Sequence, residues 1–327
     1  MSLAETLLKD YVETSFEKHL QKETWGNCWG LSNSIGQIRK VLVHRPGNEI
    51  LRLRGCRYDE QAGALVLRDG KGRIRSYCKA EQPPDLALMQ RQHDRLTTAL
   101  RENGAEVIEM ESMPTEWTNM LFPRDAAMIV PHGAVLSRFS MFFRQGETPA
   151  IQRAFGKIGM PILGAVQGAG CAEGGSFAML DPQTAVIGRS ARVNREGTEQ
   201  VRRILAEQGV QLVAVDLPAN RIHLDSVFLQ LDRDKALVDP SGLPQWFLDF
   251  LRGRGIDAIP LDLRNPPLTN NCIPVCPGKV IFPATGLRTM DRLSHAGVEV
   301  IPVDVSELNK MGGGIHCSTL ELIRDDI

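Results

Sequence analysis

The sequence predicts an α/β fold built by repetition, with about five copies of one strand, hairpin and helix unit packed around a common core. Three observations predict it. A glycine followed by a short strand-like run recurs, helical periodicity precedes each such glycine, and most copies carry two apolar runs split by a turn-forming triplet.

The glycine-led strands begin at Gly104 (GAEVIEME), Gly209 (GVQLVAVDL), Gly255 (GIDAIPLDL) and Gly297 (GVEVIPVDV), with a looser copy at Gly159 (GMPILGAV). Ahead of them, apolar residues recur at helical spacing: Leu88, Leu96 and Leu100; Ile151, Phe155 and Ile158; Val201, Ile204 and Leu205; Trp246, Phe250 and Leu251; Met290 and Leu293. A stripe of that kind ending in glycine reads as an amphipathic helix with a glycine cap. The hairpins are AAMIV-PHG-AVLSR, SFAML-DPQ-TAVIG, SVFLQL-DRD-KALVD and CIPV-CPG-KVIFP. In each, a turn triplet separates two apolar runs. The chain ends complete the fifth, GIHCSTLELI pairing with RKVLVHRP near residue 40. Such units bury their apolar faces only by packing together, so one domain is expected over 1–327, with a helical extension at about 1–35.

The composition narrows the function classes. A net charge of −1 without a basic run gives no electrostatic footprint for nucleic acid or membrane. The N-terminus lacks a signal pattern and no apolar stretch approaches membrane-spanning length. Seven cysteines without framework spacing suit free thiols in a reducing cytoplasm. Cys272 and Cys276 are interrupted by Pro274 and Pro277 with no second pair, which argues against a metal site; no metal or cofactor is expected. Nothing in the sequence forbids a homo-oligomer.

The reactive residues fall at one place in every repeat, between the short strand and the hairpin: Asp125 in FPRD, Glu173 in EGG, His223 and Asp225 in HLD, Asn271 and Cys272 in NNC, and Cys317 in GGGIHC. Repeats arranged around an axis would converge these on one small volume, bringing together a nucleophile, a base and anionic binding groups. Cys317 follows three glycines, a run suited to close approach of another group, and is the expected nucleophile. Neighbours on a strand face opposite ways, so His316 is expected to point away and His223 to be the acid/base. Cys28, Cys56, Cys78 and Cys171 read as small buried hydrophobes, and His19, His44, His93, His132 and His295 as ordinary surface or loop residues. Two acids beside a thiol oppose its ionisation unless the substrate is a cation, and a planar guanidinium is the natural bidentate partner of carboxylates.

At these residues the sequence resembles the guanidine-modifying superfamily, arginine deiminases in particular, from VLVHRPG at residue 41 to the end, with FPRD, EGG, HLDSVF and GGGIHC in the family's order. The resemblance implies a five-bladed α/β propeller of ββαβ units and a cofactor-free enzyme acting on a small guanidino substrate such as arginine. It implies Cys317 as nucleophile, His223 as general acid/base, Glu173 as the acid supporting the site, and Asp125 and Asp225 as guanidinium-binding acids. It also implies that Asn119 contacts substrate and that Arg144 and Arg192 hold an α-carboxylate. The same interval separates Arg144 from Asp125 and Arg192 from Glu173. Two departures stand out. The stretch 48–113 is too short for the deiminases' inserted helical bundle, and Lys310-Met311 replaces an arginine beside the glycine run. The compact form is closer to dimethylarginine dimethylaminohydrolases and arginine dihydrolases, and GGG followed by HC recurs in amidinotransferases. Deiminase, dimethylaminohydrolase, dihydrolase, amidinotransferase and a non-enzymatic guanidinium-binding propeller therefore all remain open.

Overall fold

The protein is described by a computed structural model at residues 2–7, 18–111 and 117–327. Five three-stranded sheets share one plan: an antiparallel hairpin whose second strand pairs in parallel, across a helix, with a third strand. A parallel crossover needs a dozen or more residues, and the amphipathic stripes supply them as helices. In the first unit, strands Leu320–Arg324 and Ile38–Val43 form the hairpin, with Leu42 opposite Leu320, and helix Leu86–Glu102 leads to strand Glu106–Glu109. The chain ends thus close one hairpin. In the second, strands Ala127–Val130 and Gly133–Leu136 precede helix Glu147–Ile158 and strand Ile162–Ala165. The remaining three units run from strand Phe177–Asp181 to Gln211–Asp216, from Phe228–Asp232 to Asp257–Pro260, and from Ile273–Cys276 to Glu299–Val303.

The five repeat glycines all have left-handed φ, from 70° at Gly209 to 89° at Gly104, a backbone that side chains with a Cβ seldom adopt. The helix stripes behind them face inward: Leu96, Leu100, Ile151, Phe155, Val201, Leu205, Leu251 and Leu293 are essentially inaccessible. Each such side chain contributes roughly 1.5–3 kcal/mol on burial. Trp246 departs from expectation. It is half exposed, and Phe247 turns inward instead, edge-on to Phe228 at 5.4 Å between centroids.

Other corrections concern the N-terminal half. Of the expected extension, helices Leu3–Leu7 and Lys18–Trp25 are present, while residues 1 and 8–17 and the side chain of His19 lie outside the described residues. His44 and His93 are buried, not surface residues, and His44 Nε2 meets Glu49 Oε1 at 3.2 Å. In place of a helical bundle, the 48–113 stretch holds a sixth sheet, antiparallel throughout, of strands Arg57–Asp59, Ala64–Arg68 and Ile74–Cys78. Its second turn is organised by Asp69, whose Oδ1 accepts from the backbone of Lys71 and Arg73. All seven cysteines are free thiols; Cys78 is buried, whereas Cys28, Cys56 and Cys171 are only half-buried. No helix among the described residues is long and apolar enough to cross a membrane.

Candidate active site

Each unit delivers its reactive residue within a few residues of the start of its first hairpin strand, mostly in or beside a tight helical turn. Asp125 lies in the turn Pro123–Ala126, Glu173 and His223 immediately before such turns, and Asp225 within Leu224–Ser226. The turns aim successive side chains at a shared interior, and glycines let them close up. A Cβ on Gly175 would stand 2.5 Å from Asp125 Oδ1 and 2.8 Å from His223 Nδ1. On Gly174 it would strike the carbonyl oxygens of Arg124 and Ala127 at 2.1 Å. The EGG motif is thus a packing requirement of the acid–histidine cluster.

In that cluster, His223 Nε2 lies 2.8 Å from Glu173 Oε2 and His223 Nδ1 3.5 Å from Asp125 Oδ1. Burial alone would push the imidazole pKa down; the charges of Asp125, Glu173 and Asp225 outweigh it, so the pKa is raised. Burial likewise opposes ionisation of Asp125 and Glu173, yet His223 and the neighbouring arginines hold both carboxyls below the usual range. Atoms of Asp125, Glu173 and His223 lie close enough together to hold a metal ion, but Arg144 and Arg192 already supply the cationic charge.

The candidate nucleophile, Cys317, is held separately. Cys317 lies in a turn, not on a strand; strand pairing begins at Leu320. Asn271 clamps it from both sides, Nδ2 donating to Sγ at 3.2 Å and Oδ1 accepting from the Cys317 backbone at 3.1 Å. The glycine run makes this possible, since a Cβ on Gly314 would meet Asn271 Oδ1 at 2.8 Å and one on Gly313 the Phe122 ring at 2.5 Å. Asp225 Oδ2 stands 3.8 Å from Sγ. Burial first, then the charges of Asp225 and Asp125, push the thiol well above its ordinary pKa. Among the described hydrogen bonds, none joins Sγ to His223. The resting group is therefore a neutral thiol beside a carboxylate.

Because Cys317 is not on a strand, the opposite-face argument does not apply to His316. Its Nδ1 lies 2.9 Å from Asp225 Oδ2. Burial and the nearby Arg124 push this histidine down to about 4, so at neutral pH it donates N–H without bringing charge. His316 orients Asp225, a role that sequence reasoning misses. Asn271 stands out in the sequence only by its repeat-equivalent place, and that is the one signal that points to it.

The two arginines expected to hold a substrate carboxylate are placed otherwise. Arg144 forks onto Glu147 at 2.9 and 2.7 Å, donates to Asp125 Oδ2 at 2.6 Å, and stacks over Phe139. Arg192 Nη1 lies 3.3 Å from Glu173 Oε2. Both are buried against the protein's own acids, as a charge in a dry interior requires; Arg144 is engaged through all three nitrogens, Arg192 through Nη1, with its Nε unpartnered. Asn119 is also buried, its Oδ1 accepting from Thr118 at 3.3 Å.

A cleft of about 620 Å³ reaches the site. Cys317, Asn271, His223 and Asp225 face it, with Leu261, Pro266, Pro267 and Leu268 on one wall. Asp125, Glu173, Arg144, Arg192 and Asn119 are not among its lining residues. The arrangement can bind a planar cation against Asp225 and present a thiol to it, with an imidazole of raised pKa at hand.

The family model described as arginine deiminase matches residues 115–245 and 267–324. A 2-nitroimidazole nitrohydrolase of Mycobacterium sp. strain JS330 is 26% identical over 96% of this chain and 86% of its own. A dimethylarginine dimethylaminohydrolase of Pseudomonas aeruginosa is 28% identical over 72% of this chain and 89% of its own. In structure, the P. aeruginosa dimethylarginine dimethylaminohydrolase complexed with citrulline superimposes with a TM-score of 0.68 at 23% identity, covering 88% of this chain and all of the other. An amidinotransferase of Microseira wollei gives 0.70 at 14% identity, over 91% and 98%. These structural likenesses show a shared α/β fold.

Proposed function

The chain belongs to the arginine deiminase family, and from that premise we propose that it hydrolyses the guanidino group of L-arginine or a close analogue to a ureido product. Named relatives are hydrolases of guanidino C–N bonds, and this chain is an enzyme of that hydrolase and amidinotransferase class. We read the five units as blades of one α/β propeller in a single domain, closed around an axis through the site. One observation carries the functional reading: the Cys317 thiol is held 3.8 Å from the Asp225 carboxyl, and both line the cleft. That pairing is self-defeating until a cation arrives.

In the reaction we infer, the guanidinium docks on Asp225, which lines the cleft, and Asp125 adds a second negative charge from behind His223. Its charge offsets the acids and lets Cys317 ionise. The thiolate attacks the central carbon, and the C–N bond to the leaving nitrogen breaks as His223 gives that nitrogen a proton. Ammonia, or an amine from an alkylated substrate, departs and leaves an S-alkylthiouronium. Water, losing its proton to His223, adds to the same carbon. The C–S bond then breaks and the departing sulfur takes the proton of the new hydroxyl, replacing the one Cys317 gave to solvent on ionising. The thiol is thereby restored and the urea, citrulline when the substrate is arginine, is released. Glu173 keeps His223 charged and oriented through the 2.8 Å contact.

An amidinotransferase would pass the same intermediate to an amine, and a dihydrolase would continue to ornithine. A second reading is favoured by the nitrohydrolase match, which extends over nearly the whole chain. Cys317 would attack C2 of a 2-nitroimidazole, nitrite would leave, and water would free the ring carbonyl product. A panel of guanidino compounds and 2-nitroimidazole, scored for ammonia, amines, ureido products, ornithine and nitrite, decides among them. Ammonia and citrulline from arginine without an amine acceptor, with a thiouronium mass on Cys317 in quenched samples, is the expected result. Nitrite release with no guanidino turnover would replace it.

A further inference from the structure

We propose that Lys79, carried by the inserted antiparallel sheet, binds an anionic group at the end of the substrate remote from the guanidinium. This rests on the guanidino reading above and extends it to a substrate class, the guanidino acids. Three observations meet at this residue. First, the arginines expected to take a carboxylate are consumed by Asp125, Glu147 and Glu173 and do not face the cleft. Second, among the described cations lining the cleft, Arg221 is paired with Asp239 and Lys310 with Glu307 at 2.6 Å, and His223 with Glu173, whereas Lys79 has no carboxylate partner. Third, the backbone places it.

The sheet is docked at three points. The hydroxyls of Ser76 and Thr118 bond each other, the Tyr77 ring meets Phe143 edge-on at 5.8 Å, and the Lys79 backbone N–H donates to the Lys310 carbonyl at 2.6 Å. The Lys79 stem then runs across Gly312. A Cβ there would lie 3.4 Å from Lys79 Cε and 3.5 Å from Cδ, and Gly312 has φ +85°. These are ordinary contact distances, so the stem lies alongside the glycine that opens the run before Cys317, and Lys79 lines the cleft. A lysine stem lying on backbone with its ammonium in water is the ordinary way such a side chain serves an exposed anion. The geometry puts a cation on the cleft that ends at Cys317 and Asp225, so a substrate of two charges, guanidinium inward and anion outward, fits it.

The test compares 4-guanidinobutyrate with butylguanidine, equal in length but differing in the carboxylate, on wild type, Lys79→Met and Lys79→Arg. In Lys79→Met, 4-guanidinobutyrate should show a KM raised about five- to tenfold with kcat kept, since an exposed charge-assisted contact is modest. Butylguanidine should change by less than about twofold, and Lys79→Arg should recover most of the loss. Raising salt should weaken 4-guanidinobutyrate for wild type and not for Lys79→Met, because exposed ion pairs are screened. Equal changes for both compounds, or none, would overturn the assignment. Binding is also read without turnover, as protection of Cys317 from iodoacetamide. If wild type turned over neither these compounds nor arginine, the proposed reaction would fail, while protection by 4-guanidinobutyrate that Lys79→Met loses would still sustain the Lys79 site. No carboxylate-dependent protection would sink it as well.

Discussion

Two buried charge clusters lie near the Cys317 turn, and they are finished differently. In one, Arg324 donates to the carbonyls of Gly36 at 2.6 Å and Pro274 at 2.7 Å and to Glu321 at 3.0 Å, while Arg124 pairs with Glu321 and points Nε at the His316 carbonyl. Its surplus positive charge is absorbed by backbone oxygens. In the other, Asp125 and Glu173 contact arginines and His223, whereas the side-chain contacts of Asp225 are His316 and the Cys317 thiol. Buried charge without a counterion is costly. The first cluster is buried away from the cleft, whereas in the second Asp225 opens on the cleft with only a histidine and a thiol as side-chain contacts.

Single substitutions should separate the two. In the open cluster, His223→Ala should lower kcat by about 10²–10⁴-fold, the usual contribution of a general acid/base, with little change in melting temperature. In the closed cluster, Arg324→Met should do the reverse. It strands two carbonyls and removes one of the two arginines of Glu321, so unfolding should cost about 3–5 kcal/mol less in chemical denaturation, while activity per folded molecule survives. A large kcat loss in folded Arg324→Met would merge the two clusters into one functional unit. Arg192→Leu is an intermediate case. It removes the partner of Glu173, not of substrate, so kcat should fall by a similar factor on arginine and on agmatine. A KM increase confined to arginine would return Arg192 to the carboxylate-binding role that its spacing suggests.

The open cluster also sets a pH signature of stability. Asp125 and Glu173 have lowered pKa values in the fold, so their contribution is present above the ordinary carboxyl range and is lost on acidification through it. His223 has a raised value, so its contribution is complete below about 6.5, the ordinary imidazole value, and is lost as pH rises through the folded value. Melting temperature of the substrate-free protein should peak between those limits, and Glu173→Gln should flatten both flanks.

The repeats, the closure of a hairpin by the chain ends and the convergence of five positions are legible in the sequence because they rest on local patterns: a left-handed glycine, an apolar stripe and a turn triplet. Partner choice is not. Arg144 occupies the position its spacing suggests, but Glu147, one helix turn on, captures its guanidinium. The sequence misplaces His316 because its apolar run reads as a strand where three glycines permit a turn. The inserted sheet follows none of the repeat's periodicity and so leaves no trace in the pattern, yet it brings Lys79 to the cleft.

The most direct test of the missing cation compares alkylation of Cys317 by 2-chloroacetamidine and by 2-chloroacetamide at neutral pH, each normalised to its rate with glutathione. The two carry the same leaving group and differ in charge. If Asp225 awaits a cation, the amidine should be favoured by at least about tenfold, corresponding to ~1.4 kcal/mol, and Asp225→Asn should erase the preference. Equal normalised rates for wild type would mean that the thiol is activated without substrate charge, and would contradict the account.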